Sequence, residues 1–264
     1  VFQLDKLLIG LFLPISWVTY YVIPLSLVQR MNALSTSVSE AFFPLACDMN
    51  GRKDEAGLSH LYAGSFKGVI FLVLPVSILI FIFSPEILSL WIDPIFSQKS
   101  STVLRILTIS YTLIPLAAIP ATISDARGRP DIATIASLLS AGINLACALL
   151  FIPRYGIKGA ALAVLVNEVI MVPSFVLYVN KKFLGISFRW FFRNVVWKLM
   201  LSGLVMCAVI YWIKELFQGV SGILLCSGLS GLTYLIAVWL LGAFTQEEVD
   251  RITGWLSGYP VLRN

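Results

Sequence analysis

Charge is what this sequence lacks most. Asp, Glu, Lys and Arg make up 12% of its 264 residues, about half the fraction found in a soluble domain. There is one histidine, His60, and it falls at the end of an apolar run, where a solvated position is the default. No GxxxxGK[ST] occurs, so there is no P-loop for ATP, and HExxH and G-x-S-x-G are absent too. The four cysteines, Cys47, Cys147, Cys207 and Cys226, show no CxxC or Cys/His spacing, so they read as buried free thiols rather than zinc ligands or a disulfide framework. The expectation is a protein that is not an enzyme, with no metal and no cofactor. What is abundant is apolar residue: 58% of the chain, with mean hydropathy +0.89. This describes a polytopic membrane protein. The net charge of +5 sits mainly in connections beside apolar runs, which disfavours nucleic acid as a partner and makes anionic lipid headgroups natural neighbours.

Eight apolar segments can be marked, bounded by charge and by Gly and Pro. They run over about 2–13, 16–47, 60–83, 102–124, 130–151, 158–179, 195–217 and 220–243, giving an all-α transmembrane fold of eight helices. The chain opens on Val1 with no Met and no cleavable signal, and only 13 residues precede Pro14, too few for the about 20 a spanning helix needs. The first helix is expected to be truncated and the chain to be a fragment of a longer protein. The second segment is long: about 30 residues rising 1.5 Å each reach about 45 Å, so it must tilt, kink at Pro24 or protrude. Pro75, Pro115, Pro120 and Pro173 interrupt three further spans.

Orientation follows from basic residues. Arg52, Lys53, Lys67, Arg127, Arg129, Lys181, Lys182, Arg189, Arg193 and Lys198, with Arg251 and Arg263 of the tail, fall on one side. Lys99, Arg105, Arg154, Lys158 and Lys214 fall on the other. The positive-inside rule makes the richer side, and the C-terminus, cytoplasmic. The longest outward connection, Ser84 to Ser101, reads as a re-entrant or interfacial piece. NKKFLGISFRWFFRNVVWK mixes aromatics with Arg and Lys and suits the cytoplasmic interface, either as a lipid-binding segment or as a plain aromatic belt.

Candidate pathway residues are the charges that survive inside apolar runs, where each costs about 2.5–3.5 kcal/mol on insertion scales. Arg30 lies fourteen positions after Ser16, about 21 Å along a helix, so it belongs near mid-membrane. At 100° per residue, Thr19, Ser26, Arg30, Ser37 and Glu40 fall within about 40° of one direction. Such a stripe fits the lining of a water-filled cavity, and a structural Arg paired across helices is the alternative. Asp5, about 13 Å from the Pro14 turn, is within reach of a long guanidinium arm and is read as an ion-pair partner or a cation or proton site. Lys6 points about 100° away from it. Glu168, beside Asn167 and five residues before Pro173, reads as a gating or proton-coupling group, or as a protonated structural Glu. Asn144, central in the fifth segment, reads as interhelical glue or a site.

Several pieces in order carry a resemblance: LDKLLIG leading to YY, FFP closing a long helix, FSPEIL, ATISDARGRPDIA and IPRYGIKGAALA. Over about 170 residues this chain resembles the C-terminal half of a Wzx-type polysaccharide flippase, in the multidrug/oligosaccharidyl-lipid/polysaccharide exporter (MOP) superfamily. The resemblance implies a fourteen-helix transporter of two six-helix lobes and an extra helix pair. Here residues 1–180 would be the second lobe, 181–198 a cytoplasmic interfacial segment, 199–243 the extra pair and 244–264 a cytoplasmic tail. It implies a lipid-linked (undecaprenyl pyrophosphate) oligosaccharide as substrate and membrane lipids, the missing N-terminal lobe and other polysaccharide-assembly proteins as partners. It also implies the cell inner (cytoplasmic) membrane, an O-antigen or lipopolysaccharide role, and Arg30 on the diphosphate. In the lipid II branch an acidic residue at the position of Asp5 joins an Asn and an Asp around a cation. Asn144 could match the Asn, but Ala148 stands where the second carboxylate is needed. A drug/cation antiporter of the same superfamily and a membrane glycan polymerase or ligase are the rival readings.

Overall fold

The computed structural model describes residues 4–214 and 219–244, with the side chains of residues 4 and 32–41 left aside. Every regular element among the described residues is helical. The chain divides into two compact units, Val1–Phe188 and Arg189–Asn264.

The first unit opens with α1 (Leu4–Phe12), followed after Pro14 by α2 (Ile15–Gln29) and α3 (Asn32–Gly51). The long second segment is therefore interrupted, but at Arg30–Met31 rather than at Pro24. Pro24 is accommodated inside α2 on its buried face, and the backbone tightens beyond it, with Met31 N bonded to Val28 O at 3.0 Å. A three-residue connection leads to α4 (Glu55–Ile82), which starts five residues earlier than its hydropathy suggests. The cause is an N-cap: Asp54 Oδ1 accepts from Gly57 N at 2.8 Å and satisfies one of the free amides of the first turn. The earlier start sets Lys67 deeper within the helix. It lies twelve residues into α4, about 18 Å along the axis, and is 7% exposed.

In the stretch read as a re-entrant or interfacial piece, a short helix α5 (Ser84–Trp91) leads to α6 (Pro94–Leu113), capped by Asp93 Oδ1 on Phe96 N at 2.7 Å. Arg105 fastens this corner from α6, its Nε donating to Ser84 Oγ at 2.9 Å and to Phe81 O at 3.3 Å. The fourth span continues through a 3-10 turn, Ile114–Ala117, into α7 (Ala118–Ala126). Pro115 lies within that turn, and its missing N–H explains the change of helix type. Then follow α8 (Pro130–Tyr155) and α9 (Ile157–Val179), which runs into a π-helical turn, Asn180–Leu184.

The α8–α9 hairpin accounts for the YGIKGAA piece. Gly156 turns the chain at φ +60°, a conformation costly for a residue with a Cβ. A Cβ on Gly159 would meet Phe151 O at 2.1 Å, so only glycine lets the first turn of α9 close on α8. Ala160, Ala161 and Ala163 behind it are at most 1% exposed, the small-residue packing that holds helices together where solvent supplies no drive. The core of this unit is built by Tyr21, Leu25, Leu58, Tyr62, Leu104, Leu107, Ile119 and Ile123, all at most 1% exposed.

The second unit holds the rest of α10 (Phe188–Phe191), a π-helical stretch Phe192–Val196, α11 (Trp197–Ile213) and α12 (Gly219–Leu240). The aromatic-basic stretch is helical from Phe188 onward and runs into α11 without a loop. Ser202, Gly203, Cys226 and Ser230 are buried, again a small-residue interface. Lys198 Nζ donates to Gly242 O at 2.7 Å. Residues 245–264, most of the expected tail, lie outside the described residues.

Among the described residues, six helices are long and apolar enough to cross a membrane: Glu55–Ile82, Pro94–Ala126, Pro130–Tyr155, Ile157–Leu184, Phe188–Ile213 and Gly219–Leu240. With α1 and the α2–α3 pair they account for the eight segments.

Candidate functional site

Helices α1, α2, α6, α8 and α9 pack mutually: α1 on α2 and α8, α2 on α6, and α9 on both α6 and α8. A polar seam runs through this packing. Asp5 from α1 is 1% exposed, and Tyr21 OH from α2 donates to its Oδ2 at 3.4 Å. Gln29 Nε2, two turns further along α2, donates to Tyr111 OH of α6 at 3.5 Å. On α9, Asn167 is 0% exposed, and its Nδ2 donates to Ser140 Oγ of α8 at 2.8 Å and to Glu168 Oε1 at 3.0 Å. Glu168 itself is half-buried.

The seam is polar but incompletely satisfied. Asp5 Oδ1, Asn144 Nδ2 and Asn167 Oδ1 are buried and find no partner among the described residues, at a cost of about 1–3 kcal/mol for each such atom. Two of these atoms are oxygens that could face a cation. The donor set nevertheless falls short of the one the resemblance implies. Ala148, 0% exposed, carries no oxygen, and among the described residues no three His, Cys, Asp or Glu side chains gather as a metal site.

Arg30 stands apart from the seam. It is exposed, at the break between α2 and α3, on the side of α2 opposite Tyr21, which lies about 180° away. Thr19 is exposed as well, and Ser26 is half-buried, its hydroxyl spent on Ile23 O of its own helix at 2.8 Å. The side chains of Ser37 and Glu40 lie outside the described residues. Asp5 and Arg30 are therefore not brought together: one is sealed against Tyr21 and the other faces away from the unit's interior. Lys6 is half-buried beside Asp5, and Asn144 is 3% exposed with its amide nitrogen unbonded.

Tyr21, Tyr111, Gln29 and Ser140 complete the seam and were not singled out by sequence. Tyr21 sits on the face opposite the polar stripe, where a large aromatic reads as core. Its hydroxyl was the available signal, since a buried Tyr usually finds a partner. Lys67 was missed because the start of α4 was placed too late.

The RGR piece proves structural. Arg127 makes a bidentate pair with Glu55 at the start of α4, Nη1 to Oε1 at 2.9 Å and Nη2 to Oε2, and Nη2 also donates to Phe183 O at 3.1 Å. Asn50 Nδ2 donates to Ala126 O at 3.0 Å, and Arg129 closes on Asp131 with two bonds of 2.9 Å. This loop thus staples the ends of α3, α4 and α9.

A bundle of membrane-length apolar helices with a buried polar seam defines a multi-pass membrane protein of the MOP-type transporter fold. Among solved structures the chain matches one titled "Lipid II flippase MurJ, inward closed conformation", with a TM-score of 0.69 at 20% identity, over 85% of this chain and 47% of that one. The profile of the family described as "Lipid II flippase MurJ" matches residues 15–230. The chain belongs to that family. It is 24% identical over 232 residues to an uncharacterized membrane protein of Methanocaldococcus jannaschii, covering 88% of this chain and 44% of that protein. It is 25% identical over 213 residues to a probable low-salt glycan biosynthesis flippase of Haloferax volcanii, covering 81% and 44%. It is also 22% identical over 159 residues to a putative O-antigen transporter of Shigella flexneri, covering 60% and 37%. The chain spans less than half the length of each of these relatives.

The superfamily expected from sequence is thus borne out, at the level of the MurJ family. Gly156, Gly159 and Arg127 serve hairpins and staples, so they mark the fold and not the cargo.

Proposed function

We propose that this chain forms the second lobe of a flippase that carries an oligosaccharide on undecaprenyl pyrophosphate across the cytoplasmic membrane, for O-antigen-type polysaccharide assembly, with its C-terminus cytoplasmic. The observation that carries this reading is Arg30: an exposed guanidinium at the break between α2 and α3, with no ion pair among the described residues. A cation kept there needs an anionic visitor, and a guanidinium matches a diphosphate with paired, charge-assisted bonds. The carboxyls Asp5 and Glu168 lie within the bundle, so the sign presented outward by α2 is positive, which suits a phosphate-linked cargo better than a cationic drug. The glycan-flippase and O-antigen-transporter names of two relatives support the same cargo class.

The experiment is complementation by the full-length parent. Arg30→Ala is expected to abolish surface glycan while the protein remains inserted and abundant, and Arg30→Lys to restore part of it. Wild-type glycan from Arg30→Ala would remove Arg30 from the mechanism and this reading with it.

A further inference from the structure

The second unit carries two cations that the flippase reading does not use. Arg189 and Arg193 are exposed, and neither makes a hydrogen bond or ion pair among the described residues. Lys198, the next basic residue, is already committed to Gly242 O at 2.7 Å. Phe191, Val195 and Leu199 are buried at 3%, 1% and 0% exposure, so they define the inward stripe of this helix. Arg189, Arg193 and Trp197 alternate with them at the same four-residue spacing and form the outward stripe. The π-helical turn Phe192–Val196 widens the winding enough to keep residues four apart in line. Trp197 is 53% exposed, with Trp190 and Phe192 beside the stripe at 43% and 41%.

Depth follows from length. The helix Phe188–Ile213 has 26 residues and spans about 39 Å at 1.5 Å each, against a hydrocarbon core of about 30 Å. The surplus is about six residues, which places Arg189 and Arg193 in the headgroup layer and Trp197 at its boundary. Guanidinium groups bind phosphate oxygens in pairs, and indole rings settle at the headgroup level.

We propose that Arg189, Arg193 and Trp197 form a docking stripe for the headgroup of an anionic phospholipid. The two arginines hold the phosphate, and the Trp ring packs on the glycerol and upper acyl region. A net anionic headgroup is favoured over a zwitterionic one because no acidic residue lies between Arg189 and Lys214 to balance a choline or ethanolamine group.

The test reconstitutes the protein in phosphatidylcholine nanodiscs containing trace spin-labelled phosphatidylglycerol or spin-labelled phosphatidylcholine, and measures the motionally restricted fraction of each. Wild type is expected to prefer phosphatidylglycerol by about fivefold or more per arginine at low salt, with the preference falling as salt rises. Arg189→Gln/Arg193→Gln is expected to bring the ratio close to one, and Arg189→Lys/Arg193→Lys to keep part of it. Equal restriction of the two lipids by wild type, or an unchanged ratio in the Gln variant, would overturn the proposal and leave a plain aromatic belt. If the Gln variant fails to insert, the salt dependence of the wild-type ratio decides by itself.

Discussion

Tyr21 OH donates to Asp5 Oδ2 at 3.4 Å across the α1–α2 contact, and the second oxygen of Asp5 finds no partner among the described residues. The bond is at the long edge of the hydrogen-bonding range, yet it serves a carboxyl sealed from solvent. Tyr21→Phe removes the donor and keeps the ring. The expected loss is about 0.5–1.5 kcal/mol of unfolding free energy, measured by denaturation in detergent. In Asp5→Asn the same Tyr substitution should cost less, because a neutral amide needs the donor less. Additive losses in the double variant would mean that the two side chains do not interact.

Gly159 offers a sharper test, because steric exclusion leaves little room for compensation. A Cβ at 2.1 Å from Phe151 O and 2.9 Å from Ile152 N would strike backbone on the facing helix, which cannot swing aside as a flexible side chain can. Gly159→Ala is expected to cost about 3 kcal/mol or more, at the upper end of overpacking penalties. Gly142 lies in the same hairpin with nothing within 4 Å of the corresponding Cβ, so Gly142→Ala should be neutral or slightly stabilising. Equal melting temperatures for the two variants would show that α8 and α9 are not this close.

At the staple between the ends of α3, α4 and α9, Arg127 has a side chain 19% exposed and Glu55 one 60% exposed. Solvent screens such a half-open pair, and the expected coupling is about 1 kcal/mol. Arg127→Lys keeps the charge but not the fork, so it should lose most of that energy together with the bond to Phe183 O. A double-mutant cycle with Glu55→Gln measures the pair directly. Coupling near zero would reduce the RGR loop to a connection.

Most of the fold was legible in the sequence, because spans are set by apolar length and the connections are short. Errors came where a local bond overrode hydropathy. The Asp54 cap started α4 early and carried Lys67 inward, and the second segment broke at Arg30 although Pro24 was the visible suspect. The candidate site was half legible. A charge inside an apolar run stands out, so Asp5, Arg30 and Glu168 were found. Which charges share a space depends on helix-to-helix packing, which periodicity within one helix cannot supply. Hence Asp5 and Arg30, plausible partners by depth, lie on opposite sides of α2. Tyr21 and Tyr111 were hidden for a related reason: an aromatic body reads as core, and only the partner shows that the hydroxyl matters.

Asn167 is where the seam can be tested without touching a charge. It is 0% exposed, and its amide nitrogen alone bridges Ser140 on α8 and Glu168 on its own helix. Asn167→Ala strips both acceptors of their donor and opens a small cavity, so about 2–3 kcal/mol of stability should be lost. Asn167→Leu fills the volume without the hydrogen bonds and separates the two contributions. If packing alone matters, Leu should restore the stability that Ala loses. If the polar seam matters, Leu should remain destabilised by about 1–2 kcal/mol, the cost of leaving a buried polar partner unbonded. In the full-length parent, the seam's part in transport would then show as glycan output that falls with Leu at normal protein abundance. Full output from an inserted, well-folded Leu variant would confine the seam to holding α8 against α9.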